Sequence, residues 1–447
     1  MQWGIALNRL VRSLRCLYWD RRLLVENGSI PEKREELWRQ AIRFFDTPVD
    51  ERTMVLKEAG VVDTAHRGGT AVSRIDDCGI TQLYLRVWSV DGGDIATQAR
   101  EIYANLHGLL LEHGAGKRDV ITQKAFFGDL DGQIGIFKDI GEAFFREDEC
   151  DFPATTYIQQ PPCPSGALCE LQARVIFASG GEGIEVRTLA GVNSPAAGKV
   201  VSYRDYDQVF LHSLTGSQRG DRSDLTAQLE SALIQAEVLL AQGNMTFHDV
   251  VRTWIYLEDV EADCAAVERA RDWFFSSREV QHPTFGMGIQ SGMLPFGQKV
   301  GLDLYAVRGR PSVKIETAQA PLLEETTASG SAFAHGTTVT QEDRVVAYVS
   351  GVANGSDRDR GTSFAERQMM RALMKMEGLL NDCGGGTSDI VRATTCLREP
   401  AHFPIFRAIS AECGLPQDIP HTVCHADRRR SERVCEIEVE AVFTPLS

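Results

Sequence analysis

An aspartate followed by a run of β-branched and aromatic residues occurs three times in this chain, as DVITQKAFFGDL from Asp119, DVVRTWIYLEDV from Asp249 and DIVRATTCLREP from Asp389, at separations of 130 and 140 residues. Each run leads into a helical stretch and then two more strand-like runs: FPATTYIQQ with ALCELQARVIF, HPTFGMGIQ with KVGLDLYAV, and PHTVCHADRR with RVCEIEVEAVF. Strand, helix, strand, strand is a β-α-β-β unit. Recurrence at a spacing of domain size means that whatever buries one copy must bury all three.

The chain divides accordingly. Unit one covers 63–180, with an opening strand over ITQLYLRVWSV and a helix from about Thr97 that sets Ile102, Leu106, Leu109 and Leu110 on one face and ends at Gly114 and Gly116. Unit two covers 181–309. Its strands EGIEVRTLAGV and DQVFLHSLTG precede a helix capped by Asp224, with Leu225, Leu229, Leu233, Ala236 and Leu240 in helical register. Unit three covers 310–447 and begins with the linker GRPSVKIETAQAPLLEETTASGS. The strand VVAYVSGVANG follows, then a helix marked by Met369, Leu373, Met376 and Leu380. Residues 1–62 form a helical N-terminal extension, whose first turns alternate Arg9, Arg12, Arg15, Arg21 and Arg22 with leucines. That pattern favours a packing helix over a membrane-surface or transit-like segment.

A formal charge of -15 opposes binding to a nucleic-acid backbone, so no nucleic-acid partner is expected. Eleven cysteines without CxxC pairs suit reduced thiols, hence a cytoplasmic location. No run approaches the length of apolar sequence needed for a membrane span.

In the last strand Cys435, Ile437, Val439, Ala441 and Phe443 alternate with Glu436, Glu438 and Glu440, so one face buries apolar groups and the other carries three carboxylates. With both helices of a unit on one sheet face, the other face meets water or another unit. The economical arrangement is an α+β fold in which three sheets face a central barrel with the helices outside, an intrachain pseudo-trimer that is monomeric beyond that, with clefts at the unit junctions.

These residues resemble the RidA (YjgF) superfamily, whose members are homotrimers of a chorismate-mutase-like α+β unit. The resemblance rests on YVSG at 348–351, the DVVRTWIYLEDV and DIVRATTCLREP strands and the closing EIEVEAV strand. Units two and three together are also similar to the chorismatases, through RTWIYLEDV, AVERARDWFF, PTFGMGI, VSGVANG and the segment from Cys424 to Glu438. The resemblance implies an enzyme that hydrolyses or eliminates at an enol ether, enamine or imine of a small anionic metabolite, with a pyruvate-type product. The family's pocket holds an arginine in a Pro-x-Arg motif for the substrate carboxylate and a glutamate on the last strand for water.

Here the arginine position is read as Thr155, Phe285 and Thr422 in turn, and the glutamate position as Glu170, Gly301 and Glu438, with Asp303 near Gly301 on the same face. Arg86 and His212 stand where unit three has Ser350. The expected site therefore lies in unit three, with Glu438 and Cys424 as catalytic groups and Ser350, Gly351, Thr422, Arg392 and Glu436 holding the substrate. Cys424 needs a base or cation beside it to act as a nucleophile, and is otherwise a buried strand cysteine. His421, Cys424 and His425 lie on a strand rather than a helix turn, so no metal and no cofactor are expected. The alternative is a catalytically silent binding or scaffold protein, favoured by loss of the arginine from every copy. Ribonuclease activity, known for some family members, is opposed by the acidic charge.

Overall fold

The computed structural model describes residues 69–445 apart from 78, 180–182, 192–196, 217–223, 281–287, 293–296, 310–312, 319–335, 342–343, 353–361 and 426–433. The N-terminal extension, Phe285 and the DRRRSER stretch lie outside the described residues. Within them the chain is α+β, with three separate sheets and six α-helices.

The first sheet contains β1 (Thr70–Asp77), β2 (Ile80–Trp88), β3 (Val120–Phe127), β4 (Ala154–Ile158) and β5 (Cys169–Ala178) in the order β1-β2-β5-β3-β4. The second contains β6 (Glu185–Leu189), β7 (Gly198–Ser202), β8 (Tyr206–Thr215), β9 (Val250–Leu257), β10 (Gly288–Gln290) and β11 (Val300–Gly309), ordered β6-β7-β8-β11-β9-β10. The third contains β12 (Lys314–Ala318), β13 (Gly336–Thr340), β14 (Val345–Val352), β15 (Ile390–Leu397), β16 (His421–His425) and β17 (Cys435–Phe443), ordered β12-β13-β14-β17-β15-β16. Apart from the extra edge strands β6 and β12, the three sheets share one topology, including a parallel last pair, β3 with β4, β9 with β10 and β15 with β16. All three belong to one compact unit made of His66–Ser356 and Gln368–Ser447.

The helices are α1 (Ile95–His113), α2 (Leu130–Arg146), α3 (Leu225–Gln242), α4 (Val260–Ser276), α5 (Thr362–Asp382) and α6 (Phe403–Glu412). Asp94 caps α1 by accepting from the Thr97 N–H, and Asp224 caps α3 by accepting from the Ala227 N–H. Gly114 ends α1 at φ 74°, a left-handed conformation that glycine adopts without a Cβ penalty. Ile102, Leu106 and Leu109 of α1 and Ile134 and Phe137 of α2 pack on Leu83, Leu85, Leu171 and Val175 of the first sheet. Leu229, Leu233, Ala236 and Leu240 of α3 pack in the same way on the second. Met369, Leu373, Met376 and Leu380 of α5 are buried at their expected positions.

The recurring aspartates have a local cause. Each closes a 3-10 turn, at Lys117–Asp119, Phe247–Asp249 and Thr387–Asp389, by accepting from a backbone N–H three residues earlier: Gly116 at 2.7 Å, Thr246 at 2.7 Å and Gly386 at 2.8 Å. The strand that follows then shifts register against the last strand of its sheet, between Val120 and Thr122, between Val250 and Arg252, and between Ile390 and Arg392. One extra residue per copy re-aims the side chains that follow it.

The sheet faces turned away from the helices are also dry. One buried cluster draws Phe126, Ile158 and Ile176 from the first sheet, Phe210, Trp254, Tyr256 and Tyr305 from the second, and Val339, Tyr348, Cys396 and Cys424 from the third. Neighbouring strands of different sheets follow a cyclic order: β4 lies by β8, β9 by β13 and β15 by β1. The loop after β4 hydrogen-bonds along β16, with the Cys163 N–H donating to the Val423 carbonyl and the His425 N–H donating to the Pro161 carbonyl. Glu440, part of the carboxylate row, is 2% exposed. Glu436 is buried as well, at 8%, so these two carboxylates of the row face protein.

Candidate functional site

The strand registers align the three copies residue by residue. Lys124 opposes Gln172, Trp254 opposes Asp303 and Thr394 opposes Glu438. On the other side, Arg86 opposes Gln172 and Ser350 opposes Glu438, with His212 next to the bulge beside Asp303. The counterparts of Glu438 are therefore Gln172 and Asp303, whereas Glu170 matches Glu436 and Gly301, both of which sit two residues earlier in their strands. This corrects the sequence alignment, and the Cys-Glu pairs at Cys169-Glu170 and Cys435-Glu436 already carried the signal. Likewise Thr156, opposite Lys124, and not Thr155, matches Thr422, which lies opposite Thr394.

Each copy's polar residues at this level bond to a residue of the next copy. Between units one and two, the buried Asp303 carboxylate accepts from the Thr156 hydroxyl at 2.8 and 2.9 Å, the Tyr256 hydroxyl at 2.8 Å and the Ser213 N–H at 2.8 Å. Ser213 is placed for this by the bulge between β8 and β11 and adopts a left-handed φ of 56°. Lys124 lies 3.4 Å from Asp303, donates to the Tyr256 hydroxyl at 3.0 Å and sits 3.7 Å over the Trp254 ring. Burial lowers the Lys124 ammonium to about 8, although Asp303 pulls the other way. Burial alone would raise Asp303; His212, Lys124, the Ser213 N–H and the Thr156 hydroxyl outweigh it and hold the carboxyl below its ordinary value. Burial pushes His212 down to about 4, so the ring is neutral. Because Thr156 donates to Asp303, the His212 Nδ1–H donates to Thr156 at 2.9 Å, leaving a buried Nε2 with no protein partner.

Between units two and three, Glu438 accepts from Arg252 at 2.9 Å and from the Trp254 indole N–H at 2.6 Å. Arg252 also donates to the Ser350 hydroxyl. Between units three and one, Thr422 donates to Glu170, which Arg86 grips through two bonds of 2.6 and 2.7 Å. Thr394 accepts from Gln172 at 3.0 Å. One step further along the strands, Glu440 accepts from Tyr84, Arg174 and Arg392, each at 2.9 Å. Burial alone would lower the two guanidiniums, but Glu440 and the neighbouring tyrosines, Tyr84 among them, together outweigh it and hold both more firmly protonated than usual.

Residues of all three sheets line a chamber of about 50 Å³, among them Lys124, Gln172, Arg252, Trp254, Thr394 and Glu438. That is room for roughly three or four waters, or one small molecule of few atoms. Glu438 is the best exposed of the paired carboxylates there, with a side chain 20% accessible against 2% for Glu440.

Of the expected site residues, the structure joins Glu438 and Ser350 through Arg252 and puts Arg392 on the chamber wall, already bonded to Glu440. Gly351 faces the other way: a Cβ there would lie 2.2 Å from the Ala372 carbonyl oxygen of α5. Thr422 points to Glu170, and Glu436 is buried opposite Cys396 at the next level. Cys424 is fully buried and donates to the Gln160 side chain at 3.1 Å, against the loop of unit one. Lys124 and Trp254 were not singled out, because on a single strand each has the look of an ordinary inward polar or aromatic residue. Among the described residues no group of three or more potential metal ligands is found, and no helix is long and apolar enough to cross a membrane.

The fold has solved counterparts. A chorismatase structure aligns over 73% of this chain and 94% of its own at a TM-score of 0.50, with 15% of residues identical. The Escherichia coli YjgF gene product aligns over 27% of this chain and 93% of its own, with 18% identity and a TM-score of 0.24. A YjgF-family protein from Mycobacterium tuberculosis covers 27% of this chain and 98% of its own, with 24% identity and a TM-score of 0.23. No protein-family model and no curated protein matches the sequence. Over the aligned region the chain thus has a chorismatase-like fold.

Proposed function

We propose that units 63–180, 181–309 and 310–447 form an intrachain pseudo-trimer around the chamber, and that the chamber is the working site of a hydrolase or lyase for a small anionic metabolite. The cyclic order of strand neighbours and the ion pairs between copies support the arrangement. The observation that carries the function is Glu438, a part-exposed carboxylate fixed by Arg252 and Trp254 at the wall of a chamber that also holds the Lys124 ammonium.

A carboxylate held in that way accepts a proton from water as a general base. For an imine, the water oxygen adds to the carbon, and C–N cleavage releases ammonia and a 2-oxo acid. For a small enolpyruvyl ether, a proton goes to the methylene carbon, the water oxygen adds to the ether carbon, and the resulting hemiketal breaks its other C–O bond to give pyruvate and an alcohol. The substrate carboxylate would face Lys124 and Arg252, which takes over the task of the family's missing arginine. Ser350 positions Arg252.

The test is the acceleration of pyruvate release from the enamine that a dehydratase generates from serine, measured against its spontaneous hydrolysis. Glu438→Gln is expected to lose about 10²- to 10⁴-fold in rate. Release unchanged by that substitution would remove the assignment. A second reading, a silent binding or scaffold protein, is favoured by one observation: Arg86, Arg174, Arg252 and Arg392 are all bonded to carboxylates of the protein itself. On that reading the protein leaves the spontaneous rate of pyruvate release unchanged.

A further inference from the structure

The hydrolytic reading uses Lys124 only as a positive charge, yet its surroundings suit a second role. Its Nζ ends inside the chamber with a side chain 9% exposed, its stem runs from the fully buried strand β3, and the Trp254 ring covers one side. From β9 it meets the Tyr256 hydroxyl, from β11 the Asp303 carboxylate, from β15 Arg392 and from β17 Glu438, with Gln172 of β5 and Thr156 of β4 as its register partners. The Tyr256 hydroxyl gives its own proton to Asp303, so its oxygen is an acceptor toward Lys124. The amine is thereby held at one point, with a lone pair that becomes available once a proton leaves. Roughly a tenth of it is neutral at about pH 7, far more than for a surface lysine.

We propose that Lys124 captures small carbonyl compounds, aldehydes or 2-oxo acids of two or three carbons, as a Schiff base inside the chamber. The neutral amine adds to the carbonyl carbon, forming the C–N bond, and the oxygen takes up a proton to give a carbinolamine. Loss of that oxygen as water leaves a C=N bond. Overall, ammonium plus carbonyl gives iminium plus water, with no redox partner needed. The positive charge stays on nitrogen, so the attraction of Asp303 survives the reaction. The chamber's size limits the reactant to a few heavy atoms.

This capture goes beyond the hydrolytic reading, because trapping requires neither turnover nor Glu438 as a base. The experiment treats the full chain with glyoxylate and cyanoborohydride and maps the reduced adducts by peptide mass spectrometry. Lys124 is expected to be labelled at least about tenfold faster than the exposed Lys314, reflecting its larger neutral fraction. A bulky aromatic aldehyde is expected to label Lys314 and spare Lys124. Lys124→Arg keeps the charge and is expected to remove the fast-forming adduct. Should that variant fail to fold, the site-resolved rates on the unmodified protein still decide. Labelling of Lys124 no faster than Lys314, or equal labelling of Lys124 by the bulky aldehyde, overturns the proposal.

Discussion

His212 and His421 show how single residues tie this fold to pH. Burial lowers both, to about 4 and about 3, from an ordinary 6.5. As pH falls below about 6.5 the unfolded chain takes up these protons while the folded chain refuses them, so stability declines from there down toward pH 4. Lys124 acts at the other end: folded it titrates near 8, unfolded near 10.5, so the unfolded chain holds the extra proton in between and stability rises with pH across that window. The melting temperature is therefore expected to drop between pH 7 and 4, and less steeply in His212→Gln. An identical slope in that variant would show that His212 takes up its proton in the folded state too. At this scale the sequence was only partly legible. The alternation of Glu436, Glu438 and Glu440 pointed them correctly to the inner face, but the partners that decide what each can do, Arg252 for Glu438 and Arg392 with Arg174 for Glu440, come from strands up to 266 residues away.

Strands and helices were the most legible level, because their signals are local. Asp224 at the start of α3, Gly114 at the end of α1 and the leucine spacing of α1 and α3 each act within a turn or two of chain. Register was harder. The bulge that recurs at the head of β3, β9 and β15 leaves no motif of its own, and without it Glu170 and Gln172 cannot be assigned to their counterparts. Gly351 illustrates the same limit from the other side. Next to the inward Ser350 it suggested a binding position, yet it is there so that β14 can approach α5. Gly351→Ala would put a methyl group against the Ala372 carbonyl, the Met376 stem and Ile437. Its expected cost is about 1–3 kcal/mol or more, since backbone has to move, read as a lower urea midpoint. A midpoint within error of the parent would mean that α5 gives way freely.

For the molecule as a whole, the inner cluster binds the three sheets to one another, so they are expected to unfold together in one transition. Glu440 is the place to break that coupling. Among the described residues it is the carboxylate paired with both Arg174 of the first sheet and Arg392 of the third, while accepting from Tyr84. Glu440→Ala leaves two buried guanidiniums uncompensated, and losses of about 3–5 kcal/mol are typical of such breaks. Calorimetry is expected to show a strongly lowered melting temperature; a parent-like value would mean that water reaches the guanidiniums.

The bonds at the copy boundaries have a direction. Lys124 and Thr156 of the first copy need Asp303 of the second, Arg252 and Trp254 of the second need Glu438 of the third, and Thr422 of the third needs Glu170 of the first. In the proposed pseudo-trimer, moving a copy from one end of the gene to the other would keep every such partnership, because a ring has no preferred starting point. Exchanging two neighbours would reverse the ring and set Lys124 and Thr156 against the third copy, Arg252 and Trp254 against the first and Thr422 against the second. On that arrangement the succession of copies along the chain is itself specified by the side chains at their boundaries.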